Sequence, residues 1–397
     1  MTPNVPQGFR LAGVHCGLKR NPQKQDITLI VADQPSIAAG VYTQNLVFAA
    51  PVALDRERTP SDSIRTIVIN SGNANACTGE QGLQDAREMA RLAAEACGGD
   101  ESQALVLSTG IIGQHLPMDR ITSGIADAAT QLAADEESLL AAVRGMMTTD
   151  TGPKLSGRTL ELSVGTVQVT GMAKGAAMIG PNMATMLGVI LTDAKLDAST
   201  AQQLLSAAVG ESFNCIAVEG HMSTNDTVLM LASGAVGEAA LKGDDLAAFR
   251  KAVDEVSLDL AKAIIDDGEG ATHTIAIEVC GTDTRDSARQ IAKTVAESAL
   301  VKTAITGADP NWGRIVSAAG YAGVPFDPAG VELTMNDHLL YQHGTPVEFD
   351  EATVSESIRS QRQVQIVLRF SEGDAMARFW TTDLTAEYVR LNADYHT

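Results

Sequence analysis

A threonine at position 185 stands immediately before an apolar run, in the stretch MAKGAAMIGPNMATMLGVILTD of residues 172–193. The stretch supplies a lysine, Lys174, then small residues with Gly and Pro, and then Ala184-Thr185 opening a strand-like segment. A hydroxyl preceded by small residues suits an amide-to-ester acyl shift, because the backbone bends enough for the Thr185 hydroxyl to reach the Ala184 carbonyl. Hydrolysis of that ester would leave Thr185 as a new N-terminus. An α-amine has a pKa of about 7.7–8.0, some two units below a lysine, so it serves as base for its own hydroxyl. The same residues also describe a Gly/Pro turn entering an ordinary strand, and spacing alone favours that plainer reading.

The elements that must position such a residue alternate almost end to end. Strand-like segments fall at 26–33, 66–70, 104–108, 159–170, 186–192, 227–232 and 274–279, with a pair at 364–370 and 375–381. Period-two alternation on either side of Gly165 predicts a hairpin within 159–170. Helical periodicity marks 79–97, 199–209, 246–265 and 286–299. Hairpins mixed with long helices favour α/β with mixed sheets over a doubly wound arrangement. The Gly-rich turn DDGEGAT after a long helix places a unit boundary around 266–284.

Composition narrows the function. A formal net charge of −20 over 397 residues argues against nucleic acid and against an anionic membrane surface. An anionic substrate would need a local cation. No apolar run reaches the ~18 residues of a membrane span. Five widely spaced cysteines without a CxxC pair read as reduced thiols, and the expected location is the cytoplasm. The seven histidines include no HExxH, and no Walker or GxGxxG pattern follows a strand, so neither a metal nor a nucleotide cofactor is expected.

Seven further motifs stand in order with the 172–193 stretch: NSGNANACTG (70–79), LSTGIIG (107–113), TTDT (148–151), STNDTV (223–228), DGEGAT (267–272), DPNWGRI (309–315) and YVRLNADYHT (388–397). Together they resemble the ornithine acetyltransferase (glutamate N-acetyltransferase) family of arginine biosynthesis along the whole chain. The resemblance implies self-cleavage between Ala184 and Thr185 into an α chain, 1–184, and a β chain, 185–397. It makes Thr185 the nucleophile, and Thr109 and Gly110 the oxyanion hole. A strand ending in Thr-Gly can aim a backbone N–H and a small hydroxyl at one point, each such donor lowering a barrier by about 3–4 kcal/mol. The matching substrate-binding positions are Thr151, Lys174, Thr185, Glu269, Asn392 and Thr397, with Lys174 as the local cation for a carboxylate and Glu269 facing the ornithine side-chain amine.

The implied reaction is ping-pong transfer from N2-acetylornithine to glutamate through an acetyl-Thr185 ester. Whether acetyl-CoA also serves as donor stays open. The implied architecture is a layered αββα-type sandwich built from both fragments, assembled as two α and two β chains. Departures from the family pattern are Ala177 where Gly is usual, Glu219-Gly220-His221-Met222 before Ser223, and His273 where Lys is common. None touches the nucleophile or oxyanion positions. An amidase or aminopeptidase passing the acyl group to water is the alternative enzyme, and a binding protein with a dead site is the alternative outside enzymes.

Overall fold

The computed structural model describes residues 2–180 and 186–394, so Ala184, Thr185 and Thr397 lie outside the described residues. The chain is α/β with two mixed sheets, as expected, and divides into two compact units. The first holds residues 1–214 and 221–264, and the second holds 215–220 and 265–396. The division thus falls at Ile264–Ile265, at the lower edge of the expected 266–284 boundary. A short segment around Ile216 joins the later unit.

The first sheet runs in the order Ala104–Ile111, Ser61–Asn73, Ile27–Tyr42, Thr227–Val236, Leu187–Ala194, Gly165–Lys174, Lys154–Leu162. Phe9–Val14 pairs with the early part of Ile27–Tyr42. Alternation sorts its core cleanly. Ile30, Ile67, Ile69, Leu105 and Leu107 pack with Leu139 and Val143 of helix Glu136–Met146, whereas Leu29, Val31, Val68 and Val106 pack with Met89 of helix Gly79–Ala96 and Ile121 of helix Met118–Thr130. Burial on both faces explains why residues 27–32 read as an apolar run interrupted only by Thr28, whose buried hydroxyl donates to Ala142 O.

The strand predicted at 26–33 continues to Tyr42 through irregular register at Val31, Ser36 and Ala38. Pro35, which cannot donate to a ladder, falls within that irregularity. Beyond it the strand changes partner, Ile37–Tyr42 pairing with Thr227–Ala232. The expected hairpin at Gly165 is present, joining Lys154–Leu162 to Gly165–Lys174.

The second sheet runs Thr345–Pro346, His338–Gln342, Glu332–Met335, Gln363–Arg369, Thr274–Thr282, Ala375–Thr382, Ile216–Ala217. The expected pair at 364–370 and 375–381 is corrected here: the two strands do not bond to each other but flank Thr274–Thr282, one parallel and one antiparallel. The connection crosses the end of that central strand, where Phe370 N–H donates to Cys280 O (2.8 Å) and Glu372 N–H to Gly281 O (2.9 Å). The five linking residues 370–374 reach about 17 Å, enough to step over one strand to the next position, roughly 9.6 Å away.

Candidate active site

Thr109 and Gly110 end the edge strand of the first sheet, and its outer edge is capped by side chains. Val106 N–H donates to Asp55 Oδ1 (2.9 Å), while Ala104 O accepts from Arg58 Nη1 (2.6 Å) and Ser108 O from Asn225 Nδ2 (2.8 Å). Residues 104, 106 and 108 therefore turn their backbone groups outward, and the same alternation turns the Gly110 N–H to that edge. Gly110 is held tightly there. Its φ is 135°, and a Cβ would lie 2.3 Å from the Gly72 carbonyl carbon, so a side chain is excluded by conformation and by space. Thr109 is 4% exposed.

Three of the sequence motifs are woven together at this point. Ser108 Oγ donates to Asn70 Oδ1 (2.6 Å), whose Nδ2 donates to Asn73 O (2.8 Å). Asn225 Nδ2 also reaches Ala74 O (2.6 Å). The next residue, Asp226, is fully buried, and its Oδ1 accepts the Met186 N–H at 2.9 Å. Neighbouring side chains thus bind two different strands: Asn225 holds the strand carrying Thr109-Gly110, and Asp226 holds the amide that follows residue 185. Burial pushes the Asp226 carboxyl well above the usual carboxylate range, against the opposing pull of the Met186 N–H and the Lys174 charge.

Lys174 ends its strand 2% exposed, a buried cation and not a surface lysine. Its charge acts on Asp150, which accepts Gly175 N–H (2.7 Å) and Lys154 Nζ (2.6 Å) on Oδ1 and Thr148 N–H (2.9 Å) on Oδ2. Burial drives the Asp150 carboxyl upward, but Lys174, Lys154 and the Gly175 N–H outweigh it and hold the carboxyl at about 2. Thr151 follows on an exposed bend. Sequence reading took Thr151 from TTDT and passed over Asp150, although the Asp150–Lys154 spacing of four was a visible signal.

The low Asp150 value carries a pH signature. The folded state holds the ionised form more tightly than the unfolded chain does. That gain is complete above the unfolded value of about 4 and is lost as pH falls through about 2. Asp150→Asn should cost about 3 kcal/mol at pH 7, since it strands buried lysines. The gap to wild type should shrink as pH falls from about 4 toward 2. Urea unfolding across that range measures it, and a pH-independent gap would refute the charge argument.

Glu269 and Asn392 belong to the second unit, which brings them together: Asn392 Nδ2 donates to Glu269 Oε2 at 3.2 Å. The DGEGAT turn is fastened at both ends. Thr385 Oγ1 donates to Gly270 O (2.7 Å), and Gly270, at φ 68°, leaves only 2.4 Å between a would-be Cβ and Tyr388 N. Asp383 accepts the N–H groups of Thr272 (2.9 Å) and His273 (3.0 Å), so His273 is absorbed into a carboxylate network. The Ala386–Asp394 helix that carries Asn392 is therefore seated on the turn that carries Glu269.

No group of three or more His, Cys, Asp or Glu among the described residues could hold a metal ion, and no helix among them is long and apolar enough to cross a membrane. All five cysteines are free of disulfides.

A strand end in a mixed sheet tied down by buried side chains, with an ionised acid–lysine cluster in the same unit, fits an α/β enzyme. Residues 10–397 match the model of the ArgJ family. The "Arginine biosynthesis bifunctional protein ArgJ" of Rhodopirellula baltica is 45% identical over 99% of this chain and 96% of its own length, and that of Symbiobacterium thermophilum is 46% identical over 99% and 98%. A crystal structure of the Bacillus halodurans arginine biosynthesis bifunctional protein superposes with a TM-score of 0.50 at 39% identity, covering 51% of this chain and 96% of the solved one. The chain belongs to the ArgJ family and is an acyltransferase of arginine biosynthesis.

Proposed function

We propose that the protein cuts itself between Ala184 and Thr185 and then moves an acetyl group from N2-acetylornithine to glutamate through an acetyl-Thr185 ester. The observation that carries this reading is the Asn225-Asp226 clamp. One side chain fixes Ser108 O, at the start of the oxyanion pair, and the next fixes the Met186 amide, one peptide bond beyond the nucleophile. The roles follow from chemistry. The Thr185 amine takes the hydroxyl proton as Thr185 Oγ attacks the acetyl carbon, and Gly110 N–H with Thr109 meets the developing oxyanion. Breaking the C–N bond sends that proton to the departing ornithine amine. Glutamate's amine then attacks the ester, and the Thr185 hydroxyl is restored.

Lys174 takes a substrate carboxylate and Glu269 the ornithine ammonium, and Thr151, Asn392 and Thr397 are the further substrate-binding positions. No cofactor is required; acetyl-CoA enters only as an alternative donor. The setting is the cytoplasm, and the assembly is two α and two β chains. The Bacillus halodurans chain supports cleavage, because it matches this protein over nearly its whole length yet spans about half of it.

Intact mass and a denaturing gel test the reading directly. Two pieces of 184 and 213 residues are expected, the larger beginning Thr-Met-Leu-Gly. Any other new N-terminus rules out this site. Acetyl release from N2-acetylornithine should depend on glutamate; equal release into water would favour the amidase reading.

A further inference from the structure

We propose that Asp383 is a positioning residue for the ornithine end of the donor: its carboxylate sets the turn that presents Glu269 to the side-chain ammonium. The inference rests on the function proposed above, in which Glu269 receives that ammonium. In the second sheet the start of Thr274–Thr282 meets the end of Ala375–Thr382, with Thr274 opposite Thr382. One residue further on, Asp383 N–H donates to His273 O at 3.1 Å. The Asp383 side chain then turns back onto the incoming chain. Its Oδ1 accepts the N–H groups of Thr272 (2.9 Å) and His273 (3.0 Å), and its Oδ2 accepts the Thr272 hydroxyl. His273 Nδ1 lies 3.1 Å and Thr306 Oγ1 3.2 Å from the same Oδ2. Asp383 is buried, so the groups it binds have little water to turn to if it is removed.

This carboxylate holds the frame of Glu269. Ala271 N–H donates to Gly268 O at 3.1 Å and closes a tight turn with Glu269 and Gly270 at its centre. Gly270 supplies the positive φ. Thr385 Oγ1 donates to Gly270 O (2.7 Å), and Arg362 donates to Ala271 O (2.7 Å) and Asp266 O (2.9 Å). Those side chains hold the carbonyls of the turn, whereas Asp383 holds the two N–H groups where the turn becomes a strand.

Asp383 is itself fixed from both sides. Lys302 Nζ donates to Thr382 O (2.6 Å), Thr381 Oγ1 (2.9 Å) and Val218 O (2.6 Å). One helical turn on, Thr306 Oγ1 reaches Leu384 O at 3.0 Å, so helix Ala299–Thr306 grips the residues before and after Asp383. Helix Ala386–Asp394 follows, and its Asn392 donates to Glu269, so this corner bears on the Glu269 carboxylate by two routes. Ornithine ends in an ammonium and glutamate in a carboxylate. A displaced Glu269 therefore weakens the donor and spares the acceptor.

The test is steady-state kinetics of the cleaved wild-type enzyme, Asp383→Ala, Asp383→Asn, Glu269→Gln and the double variant Asp383→Ala with Glu269→Gln, all below the lowest melting temperature. In a ping-pong reaction kcat/KM for each substrate reports its own half-reaction. Asp383→Ala should lower kcat/KM for N2-acetylornithine at least tenfold and that for glutamate less than threefold. Asp383→Asn, which keeps an oxygen for the two N–H groups, should recover most of the loss. The double variant should be no worse with N2-acetylornithine than Glu269→Gln alone, because Asp383 acts through Glu269. Equal losses for both substrates, no loss, an unrescued Asn variant or additive losses in the double variant would each overturn the inference. If Asp383→Ala fails to fold, Asp383→Ser is read by the same criteria. A wild type without any transfer, or a Glu269→Gln variant with an unimpaired donor half-reaction, would instead defeat the underlying function and this inference with it, so the two failures are distinguishable.

Discussion

Thr185→Ala should leave a single uncut chain of 397 residues with no measurable acetyl transfer. Two separate reasons lead there. In the proposed mechanism the hydroxyl attacks the Ala184 carbonyl during cleavage and carries the acetyl group afterwards. Without cleavage, moreover, the residue 185 nitrogen stays an amide and has no basicity to offer. Loss of a nucleophile costs on the order of 10⁴-fold or more in kcat, and here the base disappears with it. Thr185→Ser keeps both atoms and should retain part of both activities. Incubation of purified variants, followed by intact mass and a transfer assay, decides the matter. Robust turnover in the alanine variant would remove Thr185 from the mechanism.

The second large effect is expected from Asn225→Ala, a residue that touches no substrate in the proposed mechanism. Its Nδ2 satisfies two buried carbonyls, Ala74 O and Ser108 O, on either side of the Thr109-Gly110 corner. Each stranded buried acceptor costs about 1–3 kcal/mol, so stability should fall by roughly 2–5 kcal/mol. The strand end would also shift, and a displacement near 1 Å can cost about 10²-fold in rate. Denaturant unfolding and kcat, measured below the new melting point, separate the two effects. A stability loss with kcat intact would make Asn225 purely structural.

How legible this was depended on distance along the chain. Thr109-Gly110, Lys174 and Glu269 each lay within a short motif, and the structure places the first two at strand ends and Glu269 in a fastened turn. The 29–32 and 187–191 segments were readable because burial on both faces leaves a continuous apolar run. Motif order named STNDTV without saying what it does, since Asn225 and Asp226 act on residues 117 and 40 positions away. Asp383 was equally silent: nothing local signals that its carboxylate meets Thr272 and His273. The 364–381 pair failed for the opposite reason. Adjacency in sequence suggested a hairpin, whereas the buried strand Thr274–Thr282 has two ladders to fill and took both neighbours.

The strand order of the first sheet has a consequence for the two pieces that the proposed cleavage would leave. Thr227–Val236 and Leu187–Ala194, both from the later piece, lie between Ile27–Tyr42 and Gly165–Lys174, both from the earlier one. The pieces are interleaved, like two cards pushed into the same deck, and neither could leave without breaking ladders on both sides of the inserted pair. The proposed cut would therefore change the covalent count but not these ladders, in which Leu187 pairs with both Lys174 and Thr227. A protein assembled from separately made halves would have to solve the threading that one continuous chain avoids.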